Sequence, residues 1–388
     1  MNDAPLPALT SPPLTLFRSD DLIVRSVPVE GDGDRVVVTF ESYTDNRSLD
    51  RPGFGEAFLT AYGASAIHVI CRDNVWYQLP ELGAALAVVA KATRGTRRVM
   101  TYGTSMGGYA AVRFADRVGA QVALALSPQY SIDPAKTPFE TRWRPAASRI
   151  RFMPELDGPI RSHARTIVGY DPTSVDGRHV EMIEADIPTD RLRVHYAGHS
   201  APALLQEAGL LKDLVFSALD DTVDIGLIER TLRDKRRTSS IYYSELAYRQ
   251  RPERARFAID LARRAAELNP TNDIPLKALA LRLAKVGEYP EAIRLFDRML
   301  DLSYRNVDHL MPFSRLLEAG GEVGRAIDLG VEALARTPPT VGNLNWVARL
   351  LRREGRYREA LGLGLQSLGI RVRQPGVRKL GLLLSPRP

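Results

Sequence analysis

The sequence predicts an α/β domain followed by an all-α array of helical repeats. To about residue 220, short β-branched or aliphatic runs alternate with longer amphipathic stretches, as in a mostly parallel sheet flanked by helices. Beyond about residue 225 the strand signals stop, and Ala, Leu, Arg and Glu recur at helical spacing. The length of 388 residues leaves room for two or three folding units at roughly 150 residues each. With 44% hydrophobic and 26% charged residues, Gly 29 and Pro 26, the composition excludes collagen-like, coiled-coil and wholly disordered chains. The expected division is a flexible segment over 1–20, an α/β domain over 21–222 and a repeat domain over 223–388.

Strands are expected at Leu22 to Val29, Arg35 to Phe40, Ala64 to Cys71, Arg98 to Tyr102, Gln121 to Leu126, Ala164 to Gly169 and Arg191 to Tyr196. Most are nearly continuous apolar runs, as in strands covered on both faces. Helices are expected at Leu79 to Ala92, Met106 to Val118, His179 to Ala185 and Ala201 to Leu219. In the second half, Gly287-Glu-Tyr289-Pro-Glu-Ala292, Gly321-Glu-Val323-Gly-Arg-Ala326 and Gly355-Arg-Tyr357-Arg-Glu-Ala360 recur every 34 residues. A degenerate copy, Glu253-Arg-Ala255-Arg-Phe-Ala258, precedes them. Gly permits a tight interhelical turn, and Ala keeps paired helix axes close. This period resembles the tetratricopeptide repeat. About four units fit between residues 238 and 372, with a terminal helix near Arg378 to Leu384, and their concave surface suits a protein or peptide partner.

Tyr102-Gly103-Thr104-Ser105-Met106-Gly107-Gly108-Tyr109 holds G-x-S-x-G between a short apolar run and an amphipathic helix. That context points to a nucleophilic serine on a sharp strand-to-helix turn, where Gly103 and Gly107 leave room for a strained backbone. The Met106 amide, in the first turn of the helix, is an oxyanion donor. The second donor is expected in the loop after Phe40, at Glu41, Ser42 or Tyr43.

A serine needs a base, and the base needs a carboxylate. Of six histidines, His68 lies inside an apolar strand, His163 and His195 flank or lie in strands, His179 opens a helix and His309 belongs to the repeats. His199 remains, in the small-residue loop Tyr196-Ala-Gly198-His199-Ser200. Asp171 ends a strand at the sheet's carboxyl edge and is the first choice for the acid. Asp176, five residues on, is the alternative, otherwise read as a helix N-cap.

The order Ser105, Asp171, His199 resembles the alpha/beta-hydrolase family over residues 22 to 219, through YGTSMGGYAA and YAGHSAPALL above all. The resemblance implies a Ser-His-Asp hydrolase that works through an acyl-serine and needs no metal or cofactor. The domain is short for that family and has no HGGG-type oxyanion motif. The insertion over about 128–163 falls where the family places a substrate-covering cap, and it carries Tyr130, Arg142 and Trp143. A Trp beside an Arg suits a sugar or an acidic group, and equally suits an anchor to the core. Trp76 and Tyr77, after a strand at the same edge, line the pocket mouth or merely pack. The Asn74-Val-Trp76-Tyr77-Gln78 segment with the serine motif looks like bacterial hydrolase-like proteins of surface polysaccharide assembly, implying an acylated carbohydrate ester. An idle hydrolase-like domain in an interaction protein, or an acyltransferase using the same residues, are the competing readings.

The charge of +7 is scattered among acids, and no nucleic-acid-binding motif accompanies it, so no nucleic-acid partner is expected. Cys71, the single cysteine, excludes an intrachain disulfide and a Cys-based zinc site and is expected in the core. No signal peptide or apolar stretch of bilayer length is visible, and a cytoplasmic location is expected.

Overall fold

The computed structural model describes residues 12–30, 34–302, 307–337 and 339–373. The chain forms two compact units, Met1–Glu245 and Leu246–Pro388. In the first unit, β1 (Leu14–Arg18), β2 (Leu22–Val27), β3 (Arg35–Phe40), β4 (Ala66–Cys71), β5 (Arg98–Thr104), β6 (Val122–Leu126), β7 (Arg165–Tyr170) and β8 (Asp190–Arg193) build one sheet. Its order is β1-β2-β4-β3-β5-β6-β7-β8. Strand β2 runs antiparallel to both β1 and β4, and every other neighbouring pair is parallel. The parallel strands β3 to β7 are the runs read as continuously apolar, and their interiors are almost wholly buried. Such strands need helices on both faces.

Helices α1 (Glu56–Ala61), α2 (Leu82–Ala92) and α3 (Met106–Arg113) follow β3, β4 and β5. Residues of α2 and α3 share a core with Leu22, Val24, Val38, Phe40, Ile67, Val69 and Cys71. Helix α1 lies on the other face, where Glu56 approaches His68, a residue of opposite pleat parity. The crossover from β6 to β7 carries two single-turn helices, α4 (Arg144–Ala147) and α5 (Pro154–Asp157). Helix α6 (Asp176–Asp186) follows β7, and α7 (Ala201–Glu207) and α8 (Leu211–Leu219) follow β8. Phe216 of α8 meets Phe58 of α1 at 6.0 Å between ring centroids.

Three sequence expectations change here. Residues 14–18, placed in a flexible segment, form the edge strand β1 against β2. Two prolines before it and its half-solvated surface masked the strand pattern. The helix expected over 201–219 breaks at Gly209, whose φ of 69° ends α7. The boundary falls at Glu245 rather than near 222, because α9 (Ile225–Lys235) packs against β8 and belongs to the first unit.

His68, in the middle of β4, is fully buried, with Nδ1 2.5 Å from the Thr39 hydroxyl. Burial pushes its pKa down to about 4, outweighing the attraction of the Glu56 carboxylate, and Arg25 adds to the depression. Below its ordinary pKa near 6.5 the unfolded chain takes up a proton that the native ring refuses, so stability is lost as pH falls from 6.5 to 4. The loss is about 3 kcal/mol over that window. Urea midpoints measured across it are expected to fall more steeply for the native chain than for His68→Gln.

In the second unit, α10 (Ser240–Tyr248), inside which the division falls, precedes α11 (Ala255–Leu268), α12 (Asp273–Lys285), α13 (Tyr289–Leu302), α14 (Val307–Ala319), α15 (Val323–Arg336), α16 (Val341–Arg353) and α17 (Tyr357–Arg373). Gly287, Gly321 and Gly355 end α12, α14 and α16 with φ of 86°, 87° and 73°. After each, the next residue donates its N–H five residues back, as Glu288 does to the Leu283 carbonyl, which satisfies the open carbonyls of the helix end. Ala292, Ala326 and Ala360 are buried where the paired helices touch. The 34-residue spacing in the sequence is thus the repeat of this turn, and the region is a tetratricopeptide-like solenoid. The terminal helix expected near 378–384 lies outside the described residues.

Candidate functional site

Ser105 sits between β5 and α3 with φ 53° and ψ −118°, a strained combination for a residue with a side chain. Neighbouring atoms hold it there. The Ser105 N–H and the Thr104 hydroxyl both donate to the Leu126 carbonyl at the end of β6, each at 3.0 Å. A Cβ on Gly103 would stand 2.3 Å from the Gly107 carbonyl oxygen, and one on Gly107 would stand 2.2 Å from that of Phe40. The two motif glycines therefore let α3 close onto β5 and onto the loop after β3. Met106 opens α3, so its N–H belongs to the first-turn donors that lack an intrahelical partner. In the loop after β3, the Glu41 carbonyl accepts from the Tyr77 hydroxyl at 3.2 Å, which turns the Ser42 N–H of the same planar peptide away from Tyr77.

His199 Nε2 lies 2.9 Å from Ser105 Oγ. Its Nδ1 lies 2.8 and 3.0 Å from the two oxygens of Asp176. This corrects the first choice of acid. Asp171, though fully buried at the end of β7, accepts from the backbone N–H and hydroxyl of Thr173 and from the Gly198 N–H at 2.9 Å. Its carboxylate holds the loop that carries His199. Asp176, the first residue of α6, is also fully buried and is not the N-cap, a position held by Val175. An ionised carboxylate only accepts, so the proton sits on Nδ1 and Nε2 is left to accept from the serine hydroxyl.

Three sequence-proposed substrate contacts, Arg142, Tyr130 and Tyr77, are engaged by other residues of the unit. Arg142 reaches Asp176 at 2.8 Å and Glu140 at 2.6 Å, and Glu140 also accepts from His179 Nε2 at 2.9 Å. Burial alone would raise the Glu140 carboxyl; the bonds from His179 and Arg142 and the guanidinium charge outweigh it and hold it down to about 2. Arg142 is thus engaged in fixing Asp176 rather than free to clamp a substrate. Tyr130 points elsewhere, its hydroxyl donating to Asp186 at 2.9 Å. Tyr77 is fully buried against Phe40, with ring centroids 5.4 Å apart, and does not line a pocket mouth.

Trp76 is also wholly buried, behind Tyr43 and Trp143. The accessible aromatic pair is Tyr43 and Trp143, 5.2 Å apart between centroids, with Trp143 5.9 Å from the His199 ring. The indole Nε1 of Trp143 is buried and has no hydrogen-bond partner among the described residues. Beyond Tyr43 opens a cavity of about 340 Å³ that Asn74 and Arg149 also line.

Sequence reasoning missed Gln129. This residue is almost completely buried two residues past Ser127, in the turn after β6. Its Nε2 lies 3.2 Å from Ser105 Oγ and 3.4 Å from His199 Nε2, and its Oε1 accepts from Trp76 Nε1 at 3.2 Å. The available signal was a polar side chain just past the carboxyl end of a parallel strand, where crevice residues gather. Trp76, Tyr77, Ser105 and Ser127 all have φ between 47° and 57°, and Tyr196 and Asp221 of the same unit have φ of 64° and 59°.

Among the described residues no cluster of His, Cys, Asp and Glu is placed to hold a metal ion, and no helix is long and apolar enough to cross a membrane. No protein-family model matches the chain. The mouse protein named interferon-induced protein with tetratricopeptide repeats 3 is 30% identical over 110 residues, 28% of this chain and 27% of that protein. The chain therefore spans about a quarter of the length of the curated relative it matches. Among solved structures, MamA is similar with a TM-score of 0.31 and 16% identity, over 38% of this chain and 94% of that one. PilW, a type IV pilus biogenesis factor, gives 0.34 and 15% over 46% and 80%. YrrB, a tetratricopeptide-repeat protein with an unusual peptide-binding site, gives 0.33 and 14% over 44% and 86%. The mouse protein is named for tetratricopeptide repeats, in agreement with the 34-residue turn geometry of the second unit.

Proposed function

We propose that the first unit is a serine-dependent ester hydrolase of the alpha/beta-hydrolase kind, joined to a repeat array that docks a protein or peptide partner. The continuous chain Ser105 Oγ, His199 Nε2, His199 Nδ1, Asp176 carries the proposal. A strand order with an antiparallel second strand and a serine on a strained turn after the fifth supports the family reading. In this reading His199 takes the hydroxyl proton as Ser105 attacks an ester carbonyl, and Asp176 stabilises the imidazolium. The amides of Met106 and Ser42 receive the oxyanion. His199 then protonates the leaving alcohol, and water or another alcohol releases the acyl group by the reverse path. The Tyr43–Trp143 pair favours a flat, hydroxylated alcohol portion such as a sugar.

A second reading is an interaction protein whose sheet unit is chemically idle, and the mouse relative named for its tetratricopeptide repeats supports the docking role in it. A fluorophosphonate probe separates the two. Labelling of the full chain that disappears in Ser105→Ala supports the hydrolase; a folded chain that takes up no probe supports the scaffold.

A further inference from the structure

The hydrogen-bond chain through the serine extends past it to Gln129, and both ends of the chain are directional. An indole N–H only donates, so the Gln129 oxygen must face Trp76 and its NH₂ must face Ser105 and His199. At the other end the Asp176 carboxylate only accepts. Between these fixed ends every proton has one place: Trp76 N–H to Gln129, Gln129 N–H to Ser105 Oγ, Ser105 O–H to His199, His199 Nδ1–H to Asp176. The serine oxygen accepts one hydrogen bond and donates one, within its capacity.

We infer that Gln129 is the residue that positions the acyl acceptor, the water or alcohol that releases the acyl group from Ser105; the inference rests on the serine-hydrolase reading. Once Oγ is part of an ester it accepts poorly, and the Gln129 N–H is released. The amide nitrogen and His199 Nε2 are 3.4 Å apart, so one oxygen can sit within hydrogen-bond reach of both. That oxygen accepts from Gln129 and donates its proton to His199. Its lone pair then attacks the acyl carbonyl carbon, the carbon–Oγ bond breaks, and His199 returns the proton to Oγ. A water acceptor gives a carboxylic acid and an alcohol gives a new ester. Holding the acceptor matters because the step is otherwise a bimolecular encounter.

The test uses the full chain with p-nitrophenyl acetate and the fluorophosphonate probe. Gln129→Met removes the polar amide at similar volume, and Gln129→Glu keeps an oxygen for Trp76 while replacing the NH₂ donor. Release of the acetyl group from Ser105, followed by intact mass after rapid mixing, is expected to slow about ten- to a hundredfold in both variants. Probe labelling and nitrophenol burst change only severalfold, and both variants stay folded, with melting temperatures lowered by the several degrees expected for perturbing the buried Trp76–Gln129 bond. A purely structural role would slow acylation and deacylation alike. Acetyl release at the parental rate in the folded variants overturns the inference while leaving the hydrolase reading standing. A parent chain that takes up neither acetyl group nor probe overturns both.

Discussion

Asp176→Asn is expected to lower turnover and the rate of fluorophosphonate labelling about 10³- to 10⁴-fold, while Asp171→Asn is expected to cost stability more than rate. The asparagine at 176 keeps its size, but its NH₂ presented to His199 favours the wrong imidazole tautomer, leaving Nε2 protonated and unable to take the serine proton. It also leaves the Arg142 guanidinium, now paired with Glu140 alone, beside a neutral group. Asp171 accepts from the Thr173 and Gly198 N–H groups. Its replacement removes one of the hydrogen bonds to Thr173 or Gly198, worth about 1–3 kcal/mol for a buried charged acceptor, and loosens the His199 loop. Labelling rates and melting temperatures of the two variants, measured together, decide which carboxylate is the acid. Equal loss of rate in both would overturn the assignment to Asp176.

Gly107→Ala is expected to destabilise the first unit by about 3 kcal/mol or more, a fall of roughly 6–12 °C in its melting temperature. The added methyl lies 2.2 Å from the Phe40 carbonyl oxygen and 3.0 Å from that of Glu41, and both are backbone atoms of the loop that faces the serine. Neither can swing aside as a side chain would, so α3 must lift from β3 and the site opens. Gly364→Ala, in α17, is the control: a methyl there meets no atom within 4 Å and replaces a poor helix former by a good one. Circular dichroism melts of the two variants are expected to move in opposite directions.

Local, self-contained features were legible in the chain. The glycine turn of the repeats is one, because a left-handed residue closing a helix depends only on the few residues around it, and Gly287, Gly321 and Gly355 announce it at a fixed interval. The serine turn is another, since the strain at Ser105 demands glycines two residues away on either side. The candidate base was found by elimination among six histidines. The acid was not separable, because Asp171 and Asp176 flank one short loop and differ in which donors reach them, Thr173 and Gly198 for one and His199 and Arg142 for the other. Gln129, Arg142 and Glu140 were hidden or misread for a related reason: a side chain between two distant partners looks like any surface polar residue.

What the linear sequence determined by itself is the division into a strand-rich half and a helical half, the period of the repeats, and the serine and histidine of the candidate site. Each follows from periodicity or from a backbone need met within a few residues. Only the tertiary structure decided that Asp176 faces the imidazole, that Arg142 and Trp76 bond to residues around Ser105, and that Gln129 faces the Ser105 hydroxyl. Those outcomes depend on which buried donors and acceptors, drawn from β4, β6 and β7 and their loops, come within about 3 Å of one another, and that is settled by the packing of the sheet rather than by spacing along the chain.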